Sequence, residues 1–166
     1  MNNRQSIRLK GYDYSQEGVY HITICAEHKK CLFGDVINGE MKLNDMGKMI
    51  EQQWMDLPNR FSNIELDTYV IMPNHIHGII IVNPIRERAG TRPAPTIANI
   101  VGTFKSFSMN EYIRNVKHAN WPSFDQKIWQ RNFYEQIIRN IASLYQIREY
   151  ILQNPQNWKT DKLFIA

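Results

Sequence analysis

Residues 64–82 read IELDTYVIMPNHIHGIIIV, and this stretch decides the fold. Ile64 to Met72 and His75 to Val82 are both rich in β-branched and aromatic residues, and Pro73-Asn74 breaks the chain between them. The spacing therefore predicts two strands. The two-residue side-chain period of a strand places His75 and His77 on one face and turns Ile76 to the other. The run that follows the pair is strongly apolar, which argues for a central strand, and the Pro-Asn turn puts the imidazoles near a strand end.

Working outward, Val19 to Ala26 alternates and reads as another strand. Leu32 to Leu43 reads as a hairpin turning at Asn38-Gly39. Asn44 or Asp45 is placed to cap a helix running to about Leu57, with Met46, Met49, Ile50 and Trp54 on one face and Pro58 ending it. Thr96 to about Lys117 is helical by the spacing of Ile97, Ile100, Val101, Phe104 and Phe107, with Lys105 and Ser106 facing outward. Ile128 to Ile138 fits a strand, and Ser143 is placed to cap a last helix carrying Leu144, Ile147, Tyr150 and Ile151. Strands paired by tight turns with helices between them define an α+β fold, an antiparallel sheet covered by helices. Residues 83–95, NPIRERAGTRPAP, hold three prolines and a glycine and read as a flexible loop within one domain spanning residues 1–166.

Composition narrows the class. The 166 residues suit one core, and 43% hydrophobic with 22% charged residues is ordinary for a soluble globular protein. The run Ile79 to Val82 is far too short to cross a bilayer, and the polar start lacks the apolar segment of a signal peptide, so no membrane partner is expected. Cys25 and Cys31 read as free thiols of a reducing cytoplasm. The net charge of +4 is uneven: residues 1–67 hold 8 Lys/Arg against 10 Asp/Glu, residues 68–166 hold 12 against 6. A basic half permits phosphate contacts without requiring them.

Two neutral imidazoles side by side begin a divalent-cation site, although a lone His-x-His pair is more often one core and one surface histidine. Tyr150 and Asn154 lie four apart near the end of the last helix and share a face. A tyrosine hydroxyl can attack a phosphodiester and form a covalent phosphotyrosine. The Asn154 carbonyl oxygen can complete a His-His-Asn site for Mg²⁺ or Mn²⁺. A half-buried helix aromatic and a capping asparagine are the plainer alternative for this pair. Tyr134 and Tyr145 are followed four residues later by Ile138 and Glu149 rather than by an amide.

The segment Val70-Ile71-Met72-Pro73-Asn74-His75-Ile76-His77-Gly78 resembles the histidine–hydrophobe–histidine motif of the single-tyrosine transposases. So do Ile128 to Asn140 and Arg8 to Ser15, and Ile147 to Pro155 is most similar to the branch associated with repeated extragenic palindromes. The resemblance covers nearly the whole chain. It implies a ferredoxin-like sheet with the histidines on a central strand, His75, His77 and Asn154 as ligands of a divalent metal, and Tyr150 as nucleophile. The insertion-sequence branch often has glutamine at the position of Asn154. The implied activity is cutting of single-stranded DNA near hairpins, joining the protein to the 5′ phosphate and releasing a 3′ hydroxyl. A homodimer with shared sites is implied for the insertion-sequence branch only. The implied location is the cytoplasm, on the nucleoid when DNA is bound.

For DNA contact the candidates are Arg4, Arg8, Lys105, Arg131 and Arg139, because guanidinium forks and ammonium groups suit phosphates. Trp129 and Phe133, interleaved with Arg131, have the shape to stack on unpaired bases but read first as core. The competing function is a non-catalytic nucleic-acid-binding module of ferredoxin-like shape. A metal hydrolase is disfavoured, because His21, His28 and His118 show no ligand spacing.

Overall fold

A computed structural model describes residues 17–84, 95–123 and 127–165. In chain order it contains β1 (Gly18–Cys25), β2 (Gly34–Ile37), β3 (Glu40–Leu43), α1 (Asp45–Met55), α2 (Leu57–Arg60), β4 (Ile64–Met72), β5 (His75–Val82), α3 (Ile97–His118), β6 (Tyr134–Ile138) and α4 (Ile141–Gln153). The main sheet runs β4-β5-β1-β6 and is antiparallel throughout. With the separate β2–β3 hairpin and short α2 set aside, the order is β-α-β-β-α-β with β1 and β5 central, the ferredoxin-like arrangement. Arg4, Arg8 and residues 85–94 of the expected loop lie outside the described residues.

Alternation along β1 and β5 sorts the molecule into three layers. Tyr20, Ile22, Ile24, Ile76 and Ile80 face one way and pack with Ile50 and Trp54 of α1 and Ile97, Ile100, Val101 and Phe104 of α3. Gly78 lies beneath Trp54. A Cβ there would stand 2.3 Å from the indole ring, so the glycine is the space the ring occupies. The opposite face carries His75, His77 and Ile79, and Ile79 joins Ile138 and Ile151 in a small second cluster beneath α4. Because helices cover both faces, β5 is buried almost end to end, which explains its near-continuous apolar run.

Local signals account for the connections. Asn38 and Gly39 both have positive φ (53° and 76°), the geometry a two-residue hairpin turn requires. Asn44 caps α1 by accepting from the Gly47 amide at 2.8 Å, and Thr96 caps α3 in a capping box with Asn99. A register shift between Leu66 and Tyr69 bulges β4 at Asp67-Thr68. The bulge turns Asp67 toward α4, where Arg148 grips it through Nε (3.0 Å) and Nη2. Arg148, with the Thr68 bonds adding to it, holds the Asp67 carboxyl down to about 2.

The structure corrects several expectations. Pro58 does not end α1; it sits in the first turn of α2, where its missing N–H costs nothing. α4 is capped by Asn140, which accepts from the Ser143 amide at 2.8 Å, and begins at Ile141 rather than after Ser143. The strand expected over residues 128–138 is confined to β6, with one isolated bridge between Ala26 and Trp129. The reason is Lys105. Its ammonium does not face outward but takes the carbonyls of Gln130, Arg131 and Asn132 at 2.8, 3.2 and 3.1 Å, drawing these groups away from any strand partner. Burial lowers the Lys105 pKa to about 8, and its three donors are engaged by these carbonyls.

Candidate active site

The Pro73-Asn74 turn delivers His75 and His77 to the end of β5 on the α4 side of the sheet, with ring centroids 4.6 Å apart. Both are buried, at 0% and 4% exposure. Burial is the main cause that drives the His75 pKa down to about 3 and the His77 pKa well below the usual range. Each ring is therefore a neutral lone-pair donor at neutral pH, the form in which imidazole binds a cation.

The tautomer of His75 follows from its neighbour. Asn74 donates its amide nitrogen to two carbonyls, Lys29 at 3.0 Å and Leu163 at 2.8 Å, which fixes its oxygen toward His75 Nδ1 at 2.7 Å. An amide oxygen only accepts, so Nδ1 carries the proton and Nε2 presents its lone pair. That Nε2 is buried without a hydrogen-bond partner. For His77, Thr23 Oγ1 lies 2.9 Å from Nδ1 and Tyr150 Oη lies 3.3 Å from Nε2. Thr23 reaches His77 because β1 pairs with β5 in the register Thr23↔His77.

From the other side, α4 brings Tyr150 and Asn154 to the histidines. Tyr150 is half exposed, with its ring 5.2 Å from that of His77. Partial burial, then the Asp161 carboxylate, raise its pKa, and Asn154 acts in the opposite direction. Asn154 is 2% exposed, and its Oδ1 is buried without a partner. Tyr134 and Tyr145 are exposed, the first on β6 and the second on α4 beside Arg148.

His77 and Asn154 line one cleft, and His75 stands behind His77 with ring centroids 4.6 Å apart; His75 Nε2 and Asn154 Oδ1 are both buried acceptors without a partner, so the three offer an oxygen-and-nitrogen donor set. It fits a divalent cation of the Mg²⁺, Mn²⁺ class. The cleft has a volume of about 650 Å³ and is also lined by His21, Thr23, Gln136 and Asp161. His21, Thr23 and Asp161 were not legible as site members in the sequence. His21 sits 5.3 Å from His77 and 6.2 Å from Tyr150, ring to ring, and burial lowers its pKa to about 4. Its position two residues before Thr23 on an alternating strand is the one local hint.

Of the expected DNA contacts, Arg131 and Arg139 are exposed, one in the segment before β6 and one just after it. Trp129 is core, packed on Phe33 and Phe104 with its N–H donated to Ser108. Phe133 is partly buried against the same core. Cys25 and Cys31 are free thiols, and no described helix is long and apolar enough to cross a membrane.

The fold is shared with two solved structures. One is a REP-associated tyrosine transposase bound to a REP hairpin, 17% identical, with a TM-score of 0.56 over 93% of this chain and 76% of that one. The other is a candidate transposase from Deinococcus radiodurans R1, 16% identical, with a TM-score of 0.51 over 87% of this chain and 95% of that one. The chain thus shares its fold with these two structures. No family model matches the chain. An uncharacterised protein of Haemophilus influenzae is 43% identical over 178 aligned residues, covering 99% of this chain and 95% of that protein. This chain belongs to the same family as that protein.

Proposed function

We propose that the protein cuts and rejoins single-stranded DNA next to hairpins, using Tyr150 as the nucleophile and a divalent cation held by His75, His77 and Asn154. The observation that carries the reading is convergence. A half-exposed tyrosine hydroxyl lies 3.3 Å from His77 Nε2, the neighbouring His75 Nε2 is buried without a partner, and Asn154 lines the same cleft as His77 and Tyr150 with its Oδ1 unpartnered. The resemblance in fold to a transposase bound to a hairpin supports DNA as the partner.

In the proposed reaction Tyr150 Oη attacks the scissile phosphorus. The bond between phosphorus and the 3′ oxygen breaks, the phenolic proton passes to water at the open side of the cleft, and the departing oxygen takes a proton from that water to leave as a 3′ hydroxyl. The product is a 5′-phosphotyrosine, and attack on it by a 3′ hydroxyl restores a phosphodiester and the free tyrosine. A bound cation would supply the positive charge that offsets the charge developing on the phosphate oxygens. The chain's own residues do the rest. Asn74 holds the His75 tautomer, Thr23 orients His77, and the Asp67–Arg148 pair locks α4 so that Tyr150 reaches the cleft. Arg131 and Arg139, with Arg4 and Arg8, are the proposed phosphate contacts.

The test is incubation with a hairpin-bearing single-stranded oligonucleotide and Mn²⁺ or Mg²⁺, followed by denaturing electrophoresis. A denaturant-stable protein–DNA adduct is expected from the wild type and none from Tyr150→Phe. An adduct persisting in Tyr150→Phe overturns the assignment, and hairpin binding without any adduct would mark a binding module instead.

A further inference from the structure

The turn that follows α4 carries an acid into the cleft from outside the histidine–tyrosine constellation. One imidazole nitrogen each from His75 and His77 and one carboxylate oxygen of Asp161 all lie within 4.8 Å of one another. Three atoms no more than 4.8 Å apart share a point within about 2.8 Å of each, and the bonds of a Mg²⁺-sized ion are about 2.1 Å long. Each donor therefore needs to move inward by about 0.7 Å or less to share one ion.

Asp161 is held there by the fold. After Asn154 the chain winds back through the turn bonds Trp158 N–H to Pro155 O (3.3 Å) and Asp161 N–H to Trp158 O (3.0 Å). Trp158 is buried, with its ring 6.0 Å from that of His75 and 5.1 Å from that of Phe164. Asn74, which sets the His75 tautomer, also donates to the Leu163 carbonyl and so ties this segment to the turn before β5. Asp161 Oδ1 accepts from the Leu163 amide at 2.6 Å, which orients the carboxylate and leaves its second oxygen for another partner.

Charge gives the second argument. His75, His77 and Asn154 are all uncharged as donors, so a cation on those three alone keeps its full double charge in a largely buried place. Asp161 is the anionic group at that end of the cleft, and its carboxylate already acts on both His77 and Tyr150. A carboxylate is also the ligand type that hard cations take most readily.

We propose that Asp161 is a direct ligand of the cation, completing a His75, His77, Asn154, Asp161 donor set; the proposal rests on the cation site of the preceding reading. Asp161→Asn is the informative variant, because the Asn side-chain oxygen still accepts from the Leu163 amide while the charge is removed. Mn²⁺ binding is measured on the whole protein without DNA, by loss of the free-ion paramagnetic resonance signal. Wild type, His75→Ala, His77→Ala and Asp161→Asn are compared, each checked for an unchanged metal-free circular dichroism spectrum. The expected result is at least tenfold weaker binding by Asp161→Asn, with the deficit persisting at about 1 M salt, where the screening length is about 3 Å. If Asp161→Asn binds like wild type while the histidine variants lose the ion, Asp161 is no ligand and the histidine site stands. A deficit that vanishes at high salt overturns the proposal too, since it marks a field acting from a distance. Absence of Mn²⁺ binding by the wild type would remove both the site and this ligand.

Discussion

Replacing Asn74 by alanine should weaken the fold and the cation site together, by amounts that follow from three hydrogen bonds. Asn74 is 1% exposed, and its amide satisfies the carbonyls of Lys29 and Leu163 and the Nδ1–H of His75. Each bond contributes about 1 kcal/mol net, and alanine leaves its partners buried without one, so the loss is about 3 kcal/mol. For a chain of this length that lowers the melting midpoint by about 6–12 °C. Freed of its acceptor, His75 also loses the preference for the tautomer that presents Nε2. Loss of such an orienting partner typically costs a metal site 10–100-fold in affinity. Asn74→Asp separates the two effects: the carboxylate still accepts from Nδ1 but donates to neither carbonyl. It should melt early yet keep more of the Mn²⁺ affinity than alanine does. Metal-free thermal melts followed by circular dichroism, together with calorimetric Mn²⁺ titration, measure both quantities. An Asn74→Ala protein that melts with the wild type and binds Mn²⁺ equally well would refute the reasoning.

Further outcomes follow from other parts of the molecule. Arg148→Ala should lower the melting midpoint and reduce adduct formation by loosening α4, since it removes both hydrogen bonds to Asp67. A double-mutant cycle with Asp67→Asn showing no coupling would exclude that link. Gly78→Ala should cost about 1–3 kcal/mol, because the new methyl meets Trp54, and an unchanged tryptophan fluorescence and melting point would count against it. In chelator, stability should fall as pH drops below about 6.5. There the unfolded chain takes up protons at His21, His75 and His77 that the folded chain, with depressed histidine pKa values, does not bind. Urea midpoints that stay level from pH 7 to pH 4.5 would contradict that burial.

What the sequence made legible was what is local. The Pro73-Asn74 break, the Asn38-Gly39 turn and the caps at Asn44 and Thr96 each depend on a few neighbouring residues, and the strands around them followed. His75 and His77 were legible as a same-face pair by period alone, and Tyr150 with Asn154 by helical spacing and resemblance. Three site members were not. His21 and Thr23 enter through the register of β1 against β5, which no local pattern encodes. Asp161 enters through a chain reversal secured by Trp158, whose burial depends on the histidine strand itself. Lys105 was misread for a related reason: on a helical wheel it faces outward, and only the path of residues 130–132 over α3 gives its amine three acceptors.

The tight connection between β4 and β5 also bears on the order in which the molecule can become competent. The two histidines belong to a pairing closed by two residues, among the cheapest contacts for a chain to make. Their partners come from far away: Thr23 across 54 positions, Tyr150 across 73, and Leu163, which meets Asn74, across 89. A folding chain can therefore pair the imidazoles early, while Tyr150, Asn154 and Asp161 join them only when α4 and the turn after it have docked. The histidine pair is thus assembled from local contacts, whereas the groups that face it depend on long-range docking of α4 and the turn after it.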